Sequence, residues 1–115
     1  MSVVILVKEL TKEDVLHARE EYDTYIKITI DLDQKLVAIG GEYHADAQDV
    51  LIREYGGKKN IWGGGYSLLT KQFETNAMVN IHPETNPAME ILNPKIREEF
   101  LKIAKEKLKD IEKFI

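Results

Sequence analysis

Hydrophobic positions along the chain switch between a two-residue and a three-to-four-residue rhythm, and that switching outlines the fold. Val3–Val7 is a run of five apolar residues rich in β-branching, the pattern of a buried strand. Thr11 followed three residues on by Asp14 has the form of a capping box and predicts a helix over about Lys12–Tyr22. Val15, Ala18 and Tyr22 share one side of it. From Tyr25 to Ile30 the pattern alternates, with Ile26, Ile28 and Ile30 facing one way and Lys27 and Thr29 the other. Turn-forming residues at 31–34 separate this stretch from a second apolar segment, Lys35–Ile39, and the pair predicts a hairpin.

Gly40-Gly41 breaks the second strand. Asp46 is then the expected N-cap of a helix reaching about Tyr55, with Ala47, Val50, Leu51 and Tyr55 as its apolar stripe and Gly56 just past its end. Five of the seven glycines lie between Gly56 and Gly65, around the sole tryptophan, Trp62, and predict irregular chain. Two more strands are expected at Tyr66–Thr70 and Phe73–Ile81. In the second, Phe73, Thr75, Ala77, Val79 and Ile81 share one face, and Asn76, Met78, Asn80 and His82 the other. Pro83–Pro87 reads as a loop. Asn93-Pro94 supplies an N-cap and a first-turn proline for a last helix reaching about Lys113, with an apolar seam at Leu101, Ala104, Leu108, Ile111 and Ile115. The order β-α-β-β-α-β-β-α predicts an α+β fold: a mostly antiparallel sheet of about five strands with three helices, in a single domain over residues 1–115.

Composition narrows the chemistry. The chain has no cysteine, which removes disulfides, thiolate nucleophiles and zinc–thiolate sites. The apolar start is too short, and lacks the basic flank, for a signal peptide, and no stretch approaches the roughly 20 apolar residues of a membrane span. A cytoplasmic location without membrane contact is the expectation. The net charge of −4 is uneven: residues 95–115 carry +2 and the remainder −6. An acidic body argues against a nucleic-acid partner.

Three neighbourhoods are candidates for chemistry. If 42–46 is extended, Glu42, His44 and Asp46 project to one side, where they could ligate a divalent metal or share a proton. The plainer reading makes Asp46 a helix cap, Glu42 a solvated acid and His44 a strand-edge residue. Asn80 and His82, with Asn86 and Glu90 beyond, set an amide beside an imidazole and could orient a ligand. Alternatively, Asn80 bonds the next turn and His82-Pro83 ends a strand. The third stretch, Gly56–Gly65 with Trp62, lacks the Walker spacing; its glycines suit a backbone passing close to a ring or ligand. No serine–histidine–acid set stands out.

These residues support three functions. The first is a non-catalytic accessory domain binding a small ligand or partner in a polar groove formed from Glu42, His44, Asp46, Trp62, Asn80, His82, Asn86 and Glu90. The second is a metal-assisted hydrolase, with Glu42, His44 and Asp46 as ligands and His82 as proton carrier. The third is a structural homo-oligomer assembled through the C-terminal helix seam, which otherwise serves as core. No resident cofactor is expected under the first reading, and a divalent metal under the second.

The ordered set Ala38–Asp46, Trp62-Gly63, Asn80-Ile81-His82-Pro83 and Asn86-Pro87-Ala88-Met89-Glu90-Ile91 resembles an uncharacterised prokaryotic family, a domain of unknown function. The resemblance spans about Tyr25–Phe100 and departs from the usual pattern at His82 and Pro87, where that family carries arginine. It implies a small α+β domain and no assigned activity.

Overall fold

Strands and helices follow in the expected order: β1 (Val4–Leu6), α1 (Lys12–Ala18), β2 (Tyr25–Asp31), β3 (Leu36–Ile39), α2 (His44–Tyr55), β4 (Ile61–Ser67), β5 (Gln72–Glu74) and α3 (Pro94–Lys107). They come from a computed structural model in which residues 3–115 are described. The five strands form one antiparallel sheet in the order β1-β3-β2-β4-β5. The predicted hairpin, β2–β3, therefore lies at its centre. Its turn is closed by Asp31, whose Oδ1 accepts from the backbone N–H groups of Asp33 (3.0 Å) and Gln34 (3.3 Å).

The two-residue period of β2 and β3 assigns the layers. Ile26, Ile28, Ile30, Val37 and Ile39 face α1 and α3 and pack with Val15, Phe100, Ile103, Ala104 and Leu108 in the main core. Ala38 and Ile61 face the other way, against Ala47 and Leu51 of α2. Lys27 and Thr29, on that second face of β2, thus point toward the α2 side of the sheet.

Several boundaries differ from expectation. Helix α1 has the predicted capping box, with Asp14 N–H donating to Thr11 Oγ1 (3.2 Å) and Thr11 N–H to Asp14 Oδ2 (3.0 Å), but it ends at Ala18. Tyr22 lies beyond it and donates its hydroxyl to the Glu42 carbonyl (3.1 Å). Helix α2 starts at His44, ahead of the expected cap, and ends at Gly56 in the left-handed conformation (φ 71°) that glycine adopts without strain.

The stretch expected to be irregular is strand β4. All seven of its residues pair with β2, Tyr25 opposite Ser67 through Asp31 opposite Ile61. Its glycines are required by close packing, since a Cβ at Gly64 would collide with the Glu74 carbonyl oxygen. Conversely, the strand expected over Phe73–Ile81 stops at Glu74. The chain then turns inward through a 3-10 turn at Met78–Asn80, because Asn80 is wholly buried.

Helix α3 begins as predicted, with Asn93 Oδ1 accepting from Lys95 N–H (2.9 Å). It ends at Lys107, and a 3-10 turn follows at Ile111–Phe114. The expected seam is rotated. Phe100 and Ile103 join Ala104, Leu108 and Ile111 inside, while Ile115 is exposed. Those inner residues belong to the chain's own core. Among the described residues, no helix is long and apolar enough to cross a membrane.

Candidate functional site

The proposed metal triad depends on 42–46 being extended, and it is not. Tyr43 is the residue before α2, so His44 and Asp46 fall in the first helical turn. Two helical steps rotate side chains by roughly 200° and point them apart. Asp46 Oδ2 accepts from the Tyr43 N–H (3.1 Å), Glu42 is exposed, and His44 Nε2 contacts the Gly64 carbonyl at 2.6 Å. Among the described residues no group of three His, Cys, Asp or Glu side chains could hold a metal ion. Glu42, His44 and Asp46 are not a metal centre, and the hydrolase reading built on them loses its metal.

Asn80 and Asn86 are buried braces. Asn80 Oδ1 accepts from Gly63 N–H (2.7 Å), and its Nδ2 donates to the carbonyls of Gly63 (2.8 Å) and Met89 (2.9 Å), with Thr75 O at 3.2 Å. Its amide thus bonds Gly63 as a neighbouring strand would. Asn86 Nδ2 reaches the carbonyls of Asn80, Ala88 and Glu90 at 2.9–3.0 Å, and its Oδ1 accepts from Leu92 N–H. Glu90 accepts from the Thr75 hydroxyl and from Ile91 N–H. These amides are saturated by main chain and keep no donor for a ligand.

His82 packs on Trp62, ring centroids 4.6 Å apart, and Trp62 Nε1 donates to Asn60 Oδ1 (2.8 Å). His82 lines a hollow with Lys59, Pro83 and Glu84, whereas His44 lines a different one that shares none of its residues. The predicted site residues do not converge on one pocket. His44 and Asn80 both reach Gly63. A Cβ there would fall 2.8 Å from His44 Cδ2 on one side and 2.6 Å from Val79 on the other, while Asn80 holds its backbone.

The His44 hollow is the larger and more enclosed of the two. It is a groove of about 670 Å³ over the α2 face of the sheet. Tyr25 and Lys27 come from β2, Tyr43 and His44 from the start of α2, and Met78 and Met89 from the braced segment opposite. Gly65 makes room for Tyr25, since a Cβ at that position would collide with its ring. Burial, and then the carboxylate of Glu74 to which it hydrogen-bonds, push the Tyr25 hydroxyl up to about 12. The Lys27 ammonium lies 4.6 Å from the Tyr22 ring centroid and 5.8 Å from that of Tyr25. Burial lowers its pKa. Burial also pushes the His44 imidazole below its usual range; the Gly64 carbonyl opposes that shift and the charge of Lys27 adds to it. A neutral ring whose Nε2 faces a carbonyl carries its proton there, which leaves Nδ1 as the acceptor.

The chain belongs to the family described as Protein of unknown function (DUF5674). The match covers residues 4–107, wider than the segment on which the resemblance rested. No curated protein and no solved structure matches it.

Within this DUF5674 chain, sequence reasoning finds His44 but misses Tyr25, Lys27, Met78 and Met89. The alternation of β2 does single out the face that carries Tyr25 and Lys27. That face reads as solvent-exposed because nothing local says that α2 and the 76–79 segment will rise beside it. A lysine directly opposite a glycine across a strand pair, as Lys27 is opposite Gly65, is the nearest available signal.

Proposed function

We propose that this DUF5674 chain is a one-domain, non-catalytic binding protein whose small ligand sits in the groove over strand β4. The observation that carries the reading is a hollow of ligand size whose walls are tied down by hydrogen bonds of the chain itself. Small-molecule sites commonly measure about 300–1,000 Å³ and are largely pre-formed. One wall is held by Asp46 at the head of α2 and the other by Asn80 on Gly63, and Gly63 lies packed directly beneath the His44, Ala77 and Val79 side chains that line the groove. Exposed Met78 and Met89 form an apolar, adaptable rim. A binding role is favoured over catalysis because the one imidazole in the groove is held by a backbone carbonyl, with no carboxylate or nucleophile among the described residues bonded to it.

The test is a fragment screen followed by amide and methyl NMR on labelled protein. Ligands should shift the amides of Gly63, Gly64 and Gly65 and the methyls of Met78 and Met89. A screen whose hits cluster at His82 and Pro83, or that leaves the glycine amides unmoved, refutes the assignment.

A further inference from the structure

We infer that the ligand of this groove is a small organic carboxylate with an apolar body, and that Lys27 is the residue that receives its charge. The inference rests on the groove being a binding site and adds the chemistry of what enters it. Lys27 is half-buried on the wall, between the rings of Tyr22 and Tyr25, and no carboxylate among the described residues lies within ion-pair distance of it. The acids nearby are otherwise engaged: Asp46 holds the Tyr43 N–H and Glu74 takes the Tyr25 hydroxyl. A partly desolvated ammonium without a counter-charge is an unfavourable arrangement that an incoming anion relieves. Placing one in a protein of net charge −4 makes the spot distinct from its surroundings.

The rest of the lining selects among anions. The groove has one ammonium, no arginine and a histidine whose burial keeps it neutral. Phosphate dianions are usually met by forked guanidinium groups or several convergent backbone donors, so a single positive charge suits a monoanion. Tyr25, Tyr43, Val79 and the two methionines supply apolar and aromatic surface for the remainder of the molecule. A carboxylate at one end of a hydrocarbon or aromatic body satisfies both parts.

The probes are matched acid–amide pairs of equal shape: phenylacetate with phenylacetamide, and hexanoate with hexanamide. Each is titrated into labelled full-length protein near neutral pH and followed at the Gly63–Gly65 amides. The acids should bind about tenfold more tightly than their amides, the effect of one charge-assisted hydrogen bond. Raising the salt concentration should narrow the gap. Lys27→Met should abolish the preference, so that acid and amide bind with equal affinity, and Lys27→Arg should keep most of it. An unchanged melting temperature in both variants shows that they are folded. Acids and amides binding equally at the glycine amides would overturn the carboxylate assignment and leave the groove as a site. So would a preference that survives in Lys27→Met. If neither member of any pair moves the glycine amides, both the inference and the binding reading fall.

Discussion

Replacing Asn80 separates a ligand-binding amide from a structural one. In Asn80→Ala the Gly63 N–H loses its 2.7 Å acceptor, and the carbonyls of Gly63 and Met89 lose donors at 2.8 and 2.9 Å. All of this happens at a side chain with no solvent exposure. Each buried backbone group left without a partner costs about 1–3 kcal/mol. The Met89 carbonyl keeps the Ala77 N–H, so the Gly63 N–H and C=O are the groups left without partners, and the total is about 2–4 kcal/mol, a large share of the stability of an ordinary domain. Trp62, adjacent to Gly63 and the sole tryptophan, is a natural fluorescence probe. In urea titrations the midpoint should fall by about 2 M with little change in slope. Asn80→Asp keeps the shape but turns an acceptor toward three carbonyls, those of Gly63, Thr75 and Met89. Burial raises its pKa, so its protonated form is favoured in the folded state, and the penalty should be smaller near about pH 4 than at neutrality. An Asn80→Ala protein within about 1 kcal/mol of the parent would refute the brace and return this amide to the pool of ligand contacts.

Two further outcomes follow from the same neighbourhood. Gly64→Ala drives a methyl into the Glu74 carbonyl oxygen and against Phe100, so it should cost about 3 kcal/mol or more and separate β5 from β4. Gly56→Ala, left-handed but in open space, should cost only about 1 kcal/mol, and equal melting temperatures for the two variants would contradict the packing argument. For His44 the folded pKa lies below the ordinary 6.5, so as acid is added the unfolded chain takes up this proton first. Its contribution should be constant above that value and decline as pH falls through it. His44→Gln should flatten that part of the stability profile, and parallel profiles for parent and variant would sink the claim.

Much of the fold is legible because local rules agree with the final packing. The hairpin declares itself through Ile26, Ile28 and Ile30 and the turn acid Asp31, and α3 through Asn93-Pro94. Gly56 marks the end of α2 correctly for the same reason. Strand β4 is illegible because three consecutive glycines have no strand preference of their own; it becomes a strand through β2 on one side and β5 with Asn80 on the other. The metal triad fails on a helix boundary: beginning α2 at His44 turns a two-residue spacing from convergent to divergent. Asn80 and Asn86 are singled out as unusual, and of the two readings of Asn80 the bond to main chain matches the structure; what the sequence does not reveal is how fully each amide is enclosed. Lys27 escapes notice because a strand's outward lysine is normally solvated, and only the tertiary arrangement surrounds it with tyrosine rings.

That no residue of β4 lines the groove has an implication for how such a protein can change. Selectivity resides in side chains contributed by distant stretches of the chain: β2, the start of α2 and the segment from Asn76 to Met89. Tyr43, Met78 and Met89 project from those walls into solvent, outside both hydrophobic clusters. Exchanging them would reshape what fits while sparing the sheet. The fold therefore keeps its foundation and its variable parts in different residues, which suits one scaffold to many small molecules.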